Sequence, residues 1–378
     1  MRKICIVTGS RAEWGLLSSL ATLIKEDDDL QLQIIATNMH LSERYGATYK
    51  EIESEGFTID YYVPMDTGGD AAINTVYSMS VAMKGFAEAY DSLTPDMLVV
   101  LGDRYEILVA VTAALIFKIP VSHLHGGEIT EGAFDDAIRH SITKMSHLHF
   151  TSTEEYRQRV IRMGEQPETV FNFGAIGVDN IKRVKLWDKK TTEDNLGGFK
   201  LDNNTILVTY HPVTLENNTE EEQIRALLNA LDEFPYLRII FTMPNSDTNS
   251  YIIANLIKKW CEQNNDRAIW FISLGYKRYL SILQYIHAVV GNSSSGIIEV
   301  PSFGIPTLDI GNRQKGRIFA KSVIHCDINN IISHLQLVLN IKRRKVVNPY
   351  EGNDTVRKIF NVIKVSRPSI QKTFYDAK

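Results

Sequence analysis

The chain runs to 378 residues, 44% hydrophobic and 23% charged, with a formal net charge of −4. That length favours two α/β domains over one core. The charge argues against general affinity for nucleic acid, which needs a basic footprint, but leaves room for a local positive pocket that takes an anionic small molecule.

Met1-Arg2-Lys3 opens like a signal n-region, but the apolar run Ile4-Cys5-Ile6-Val7 stops at Thr8-Gly9. A secretory core needs about 7 to 15 apolar residues, and no stretch nears the ~20 residues of a membrane helix. The chain therefore reads as cytoplasmic with no membrane partner, and the run becomes a first strand. Three scattered cysteines, Cys5, Cys261 and Cys326, make neither a disulfide framework nor a zinc ribbon and fit a reducing compartment.

Short β-branched runs then alternate with amphipathic stretches, the signature of βαβ units and parallel sheets. The predicted strands of the first half are Ile4–Thr8, Leu32–Thr37, Ile59–Val63, Met97–Leu101, Val121–His125, His149–Ser152 and Val170–Phe173. Helical patterns cover Trp14–Lys25, Tyr105–Phe117, Asp136–Met145 and Thr153–Met163. The polar stretch Lys189–Asn204 reads as the start of a second domain. Beyond it, strands are predicted over Thr205–Tyr210, Arg238–Met243, Ala268–Ser273, Ala288–Gly291, Thr307–Ile310 and Val323–Cys326. Helices are predicted near Glu220–Leu231, Ser250–Cys261, Arg278–Tyr285 and Gly296–Ser302. The fold class is α/β, two Rossmann-like domains with a cleft between them, and ligands of such sheets bind at the carboxyl ends of the strands.

The residues at those strand ends carry the chemistry. After the first strand, Gly9 permits close backbone approach, Ser10 offers a hydroxyl and Arg11 a fork of donors for phosphate, unless this is an ordinary βα turn with a surface arginine. After Met97–Leu101 comes Gly102-Asp103-Arg104, where Asp103 is either a general base or orienting carboxylate, or a helix cap. His123 and His125 share one face of the next strand; a third metal ligand at sensible spacing is missing, so no metal is expected. Glu128, after Gly126-Gly127, reads as a catalytic or substrate-orienting acid. Asp135 and Asp136 open a helix; one serves as a cap, and together with Glu128 they crowd acids enough to raise a pKa.

In the second half His211, at a strand end, can act as a general acid or hydrogen-bond a phosphate, or be structural. Gly291-Asn292-Ser293-Ser294-Ser295-Gly296 puts hydroxyls and backbone N–H groups at a strand-to-helix turn, a natural seat for a diphosphate, with Glu299 near enough to accept ribose hydroxyls. Arg313, Lys315 and Arg317 follow at the next strand end, between glycines.

Gly-Ser-Arg-Ala-Glu (9–13), Gly-Asp-Arg-Tyr-Glu (102–106), His-Gly-Gly-Glu (125–128), Asp-Asp-Ala-Ile-Arg-His-Ser-Ile-Thr-Lys (135–144), His-Pro-Val-Thr (211–214), Gly-Asn-Ser-Ser-Ser-Gly (291–296) and Gly-Asn-Arg-Gln-Lys-Gly-Arg (311–317) stand in this order. The set resembles the hydrolysing UDP-N-acetylglucosamine 2-epimerases over nearly the whole chain. The resemblance implies a glycosyltransferase-B-like architecture. Residues 1–185 would form an N-terminal domain with the catalytic acids, 186–354 a UDP-binding domain, and 355–378 a C-terminal helix crossing back to the first domain. It implies UDP on Ser293, Ser294, Ser295, Gly296, Glu299, Arg313 and Lys315, with Ser10, Arg11 and His211 toward the phosphates. Asp103 and Asp135 match the family's catalytic acids. Animal bifunctional relatives carry Glu in place of His125, so either Glu128 takes over that role or His125 itself serves. Non-hydrolysing relatives carry a His-Val-Glu-Ala-Gly type segment where this chain has His-Leu-His-Gly-Gly, which favours hydrolysis.

The implied reaction is anti elimination of UDP, then hydration of a glycal, giving UDP and N-acetylmannosamine for sialic-type (nonulosonic) acid synthesis. The same chemistry on UDP-N,N'-diacetylbacillosamine, the legionaminic acid route, is the alternative within the family. A retaining UDP-sugar glycosyltransferase is the alternative from another class, since fold alone cannot separate them. No cofactor is implied, and the expected partners are the UDP-sugar and a second copy or more of the chain, as homodimer or homotetramer.

Overall fold

A computed structural model describes residues 1–65, 69, 71–216, 219–245, 247 and 249–376. The first elements are β1 (Arg2–Thr8), α1 (Arg11–Lys25), β2 (Leu30–Thr37), α2 (Tyr49–Ser54), β3 (Tyr61–Val63), α3 (Ala72–Leu93), β4 (Met97–Leu101) and α4 (Tyr105–Ile116). Next come β5 (Val121–Leu124), α5 (Asp135–Met145), β6 (Leu148–Thr151), α6 (Glu154–Arg162), β7 (Val170–Asn172), α7 (Ile176–Arg183) and α8 (Lys189–Asp194). The pattern continues with β8 (Thr205–Thr209), α9 (Glu220–Asp232), β9 (Arg238–Thr242), α10 (Ser250–Gln263), β10 (Ala268–Phe271), α11 (Tyr276–Leu283), β11 (Ala288–Gly291) and α12 (Ser295–Ile298). It closes with β12 (Thr307–Ile310), β13 (Val323–Cys326), α13 (Ile331–Leu339) and α14 (Thr355–Val365).

The chain divides into two compact units. The first holds Met1–Glu128, Asp135–Asn180 and Gly352–Lys378; the second holds Ile129–Phe134 and Ile181–Glu351. Among the described residues the first unit has a parallel seven-stranded sheet in the order β3-β2-β1-β4-β5-β6-β7. The second has a parallel six-stranded sheet, β10-β9-β8-β11-β12-β13. Each order reverses direction beside its first strand, between β1 and β4 and between β8 and β11. Loops leaving those strand pairs diverge to opposite sides and open a crevice in each unit.

Period-two alternation explains why both faces are covered. Ile4 and Ile6 face a core shared with Leu17, Leu20 and Ile24 of α1 and Val356, Ile359 and Ile363 of α14. Cys5 and Val7 face the opposite core, with Phe86 and Tyr90 of α3 and Val109 and Ala113 of α4. In the second unit Ile206 and Val208 meet α9, α10 and α13, and Leu207 meets α11.

Several details depart from the sequence expectations. Strands β5 to β10 end a residue or two early, β5 at Leu124 because His125 turns to φ 67°. His123 and His125 therefore do not share a strand face. The polar stretch from Lys189 begins with a short helix: Asp188 caps α8 by accepting from the Thr191 amide at 2.7 Å, and Thr192 is buried. The helix expected over Gly296–Ser302 is only α12, followed by a 3₁₀ turn at Val300–Phe303, since Pro301 cannot continue an α-helix. No helix among the described residues is long and apolar enough to cross a membrane.

Candidate active site

At the crevice of the first unit, β1 leads through Gly9 into the cap of α1. Ser10 Oγ accepts from the Glu13 amide at 3.3 Å, and Glu13 Oε2 accepts from the Gly9 amide at 2.7 Å. Ser10 is buried and Arg11 pairs with Glu51. Glu106 lies against the same turn, so close that a Cβ on Gly9 would fall 2.6 Å from its Oε1.

The next strand end is built around a buried cation. Arg139 of α5, 1% exposed, pairs with Asp103, reaches Asp136 Oδ1 at 3.3 Å and donates to the Glu128 carbonyl at 2.9 Å. A guanidinium's fixed fork suits such a three-way role. Arg139 thus stands among the acids expected to crowd one another. At the β1 turn, burial and then the neighbouring Glu106 push the Glu13 carboxyl up to about 8.

Beside it, His123 is locked: Nε2 contacts the Gly102 carbonyl at 2.7 Å, Nδ1 contacts Thr143 Oγ1 at 3.2 Å, and burial lowers its pKa to about 3. His125 is different. Its Nδ1 lies 2.8 Å from Glu128 Oε1, which also accepts from Ser152 Oγ at 2.7 Å. Its Nε2 is buried and has no hydrogen-bond partner among the described residues. Non-glycine residues held at positive φ are strained, and such strain clusters at functional positions. The two following glycines are required: a Cβ on Gly126 would press Thr143 Oγ1 at 2.9 Å, and one on Gly127 would meet the Tyr156 carbonyl at 2.6 Å.

The crevice of the second unit is organised by an uncharged hub, Asn292, which is fully buried. Its Oδ1 accepts from the His211 amide at 2.7 Å and its Nδ2 donates to the His211 carbonyl at 2.8 Å, tying the ends of β8 and β11 together. Its own carbonyl accepts from Arg313 Nη1 at 3.2 Å and Gln314 Nε2 at 2.8 Å. His211 Nδ1 accepts from the Asn245 amide at 3.4 Å, which leaves the neutral ring's proton on Nε2. Ser293 and Ser295 hydroxyls are 3.1 Å apart, and Glu299 is buried at the end of α12. With one turn of helix behind them, Ser293–Gly296 offer hydroxyl and amide donors more than a helix dipole. Gly291 is obligatory, since a Cβ there would fall 1.9 Å from the Thr209 carbonyl. Lys315 stands apart, its side chain 65% exposed and paired with Glu131 at 3.2 Å.

Two residues of the sequence pattern thus gain roles that their motifs only hinted at, Arg139 and Asn292. Ser152 had no local signal; it meets Glu128 only because β6 pairs with β5.

Fold and site together define a two-unit α/β enzyme of the glycosyltransferase-B-like kind, with acids, histidines and a buried arginine at one strand-end crevice and hydroxyl and amide donors beside His211 and Arg313 at the other. The sequence profile of the UDP-N-acetylglucosamine 2-epimerase family matches residues 22–364, and the chain belongs to that family. It is 46% identical over 330 residues to a Campylobacter jejuni protein named GDP/UDP-N,N'-diacetylbacillosamine 2-epimerase (hydrolyzing), covering 87% of this chain and 85% of that one. It is 39% identical to the polysialic acid biosynthesis protein P7 of Escherichia coli, covering 100% of this chain and 98% of that one. Among solved structures, the Neisseria meningitidis UDP-GlcNAc 2-epimerase bound to UDP-GlcNAc shares the fold with TM-score 0.77 at 16% identity, covering 96% of this chain and 100% of that one.

Proposed function

We propose that this chain is a hydrolysing 2-epimerase of a UDP-activated 2-acetamido sugar. The observation that carries the reading is the His125–Glu128 pair, joined through Arg139 to Asp103. It supplies two distinct proton-transfer groups, and a stereochemical change at a carbon needs a base and an acid. Asp103, oriented by Arg139, removes the hydrogen at sugar carbon 2 as the bond from carbon 1 to the UDP oxygen breaks. The glycal then takes water: His125 Nε2 delivers a proton to carbon 2 from the opposite face, the water oxygen adds at carbon 1, the proton that water gives up returns to the imidazole, and Asp103 releases its proton to solvent. Glu128 holds the ring through Nδ1, so Nε2 is the nitrogen that reacts. Asp135, buried at the start of α5, completes the acid set.

For the second unit we assign the nucleotide end: Ser293, Ser294, Ser295 and Gly296 for the departing diphosphate, with His211 and Arg313, and Glu299 for the ribose. The relative at 46% identity favours N,N'-diacetylbacillosamine as the sugar, while the family description and the polysialic acid relative favour N-acetylglucosamine, with N-acetylmannosamine as product. The reading also includes a cytoplasmic homodimer or homotetramer, which sedimentation of the purified chain checks.

Proton NMR in deuterated water, with each UDP-sugar in turn, tests the assignment. Release of UDP and the free 2-epimer carrying deuterium at carbon 2 supports it and names the sugar. Transfer of the intact sugar to an acceptor, with carbon 2 untouched, rejects it.

A further inference from the structure

Glu13 and Glu106 lie outside the proton-transfer set just described, yet they are among the most buried charged groups of the first unit, 6% and 0% exposed. They sit on the first turns of α1 and α4, the helices that leave the neighbouring strands β1 and β4. Gly9 is sandwiched between them: its amide donates to Glu13 Oε2 at 2.7 Å, and its Cα packs against the Glu106 carboxylate with no room for a Cβ. Glu106 Oε1 in turn accepts from Arg104 Nε at 2.9 Å, while its Oε2 is buried with no partner among the described residues.

A Glu at the third position of a helix often completes a cap, but such a cap is solvated and ionised. Here two carboxylates share one neighbouring guanidinium, in a place where a second uncompensated negative charge is costly. The charged groups facing Glu13 are Glu106, Arg104 and Asp103, from the β4–α4 connection and the first turn of α4. From the β2 side, His40 touches Thr8 Oγ1 at 3.0 Å and is held neutral by burial. We propose that Glu13, buried against Gly9 and beside the Glu106 carboxylate, is a positioning residue that works in its protonated form and locks the Gly9–Ser10–Arg11 turn to the Asp103–Arg104 turn. The inference rests on the proposed proton-transfer role of Asp103. It accounts for the depth at which this carboxylate of the α1 cap is buried against a second acid. The raised pKa of Glu13, about 8 from burial and then Glu106, fits a protonated Glu13.

Glu13→Gln fixes the neutral form, and Glu13→Ala removes the lock. The test is the pH profile of kcat/KM from pH 6 to 10 for the full chain and both variants. The wild-type value is expected to fall above about pH 8, by roughly tenfold per unit for one essential proton. In Glu13→Gln that alkaline limb is absent, with activity retained at pH 7, and in Glu13→Ala kcat falls at all pH values. Coinciding alkaline limbs in wild type and Glu13→Gln overturn the proposal, as does a Glu13→Gln variant as impaired as Glu13→Ala. Thermal unfolding supplies a readout free of substrate. A raised folded-state pKa gives stability present below the unfolded value and lost as pH rises through the folded one. The melting temperature of Glu13→Gln should therefore gain on wild type, by several degrees, between pH 5 and pH 9. If wild type turns over neither UDP-sugar, the functional reading fails; a constant melting gap across that range defeats the protonated Glu13 independently.

Discussion

The two crevices have the same topology and opposite chemistry. Around β1 and β4 the first unit gathers ionisable side chains largely out of water: Glu13, the pair Arg104–Glu106 and the pair Arg139–Asp103. Between β8 and β11 the second unit gathers carboxamides and hydroxyls around Asn292, with Tyr210 donating to Gln223 Oε1 at 3.0 Å beneath them. Buried charges of both signs can hand protons about, because each is oriented by a fixed partner. Neutral donors on a rigid turn, with the Arg313 guanidinium beside them, can hold an anion that must later leave, because most of the contacts carry no permanent opposing charge. In the proposed reaction one fold supplies both halves of an elimination, and the difference lies in a handful of loop residues.

The largest effect expected from breaking this division is at Asp103. Asp103→Asn should lower kcat by roughly 10³-fold, within the span of a lost general base, while calorimetric affinity for UDP stays within about twofold. UDP affinity falling in step with kcat would show that the first unit also holds the nucleotide, and the division would collapse. His125→Gln should cost about 10²-fold in kcat and should release glycal, since elimination proceeds but hydration lacks its proton. NMR of the reaction mixture reads this directly; a slowed reaction without glycal moves His125 to the elimination step.

In the second unit the expected losses are in binding. Asn292→Ala removes both amide contacts to His211 and should destabilise that unit by ~1–3 kcal/mol, weaken UDP and leave kcat at saturation within a few fold. Arg313→Ala, which loses a cation but spares the hub, should weaken UDP by about tenfold, ~1.4 kcal/mol. Unchanged affinity there removes Arg313 from the diphosphate.

The topology was legible because parallel strands buried on both faces read as continuous apolar runs, from Ile4–Val7 to Ala288–Val290. Helix α3 was not. Its exposed side carries Ile73, Val76, Tyr77 and Val81, so the polar stripe that marks an amphipathic helix is missing. At the site, glycine and acid positions showed in the sequence because they recur at strand ends. What the chain order concealed was partnership. Ser152 meets Glu128 from 24 residues away through strand pairing. Arg139 was one residue of a helical motif until its side chain proved buried. The strain at His125 is a backbone property, and it removes the shared face that simple alternation assigns to His123 and His125.

The smallest effect on turnover is expected where buried charge in the first unit is structural. Glu165, 2% exposed, meets Lys144 at 2.6 Å, Lys372 at 2.8 Å and His149 at 3.0 Å, on the far side of α5 from Asp103 in sequence. Burial alone would raise its pKa, but the hydrogen bonds from His149, Lys144 and Lys372 outweigh it and hold the group down to about 2. A depressed folded-state pKa gives stability that is present above the unfolded value of ~4.5 and lost as pH falls toward 2. Glu165→Gln should therefore be less stable than wild type at pH 7, with unchanged kcat, and the gap should close on acidification below about pH 4.5. Denaturant melts across pH 7 to 2.5 give the answer. A gap that persists at low pH assigns the loss to packing; a changed kcat extends the proton-transfer machinery of the first unit well beyond its crevice.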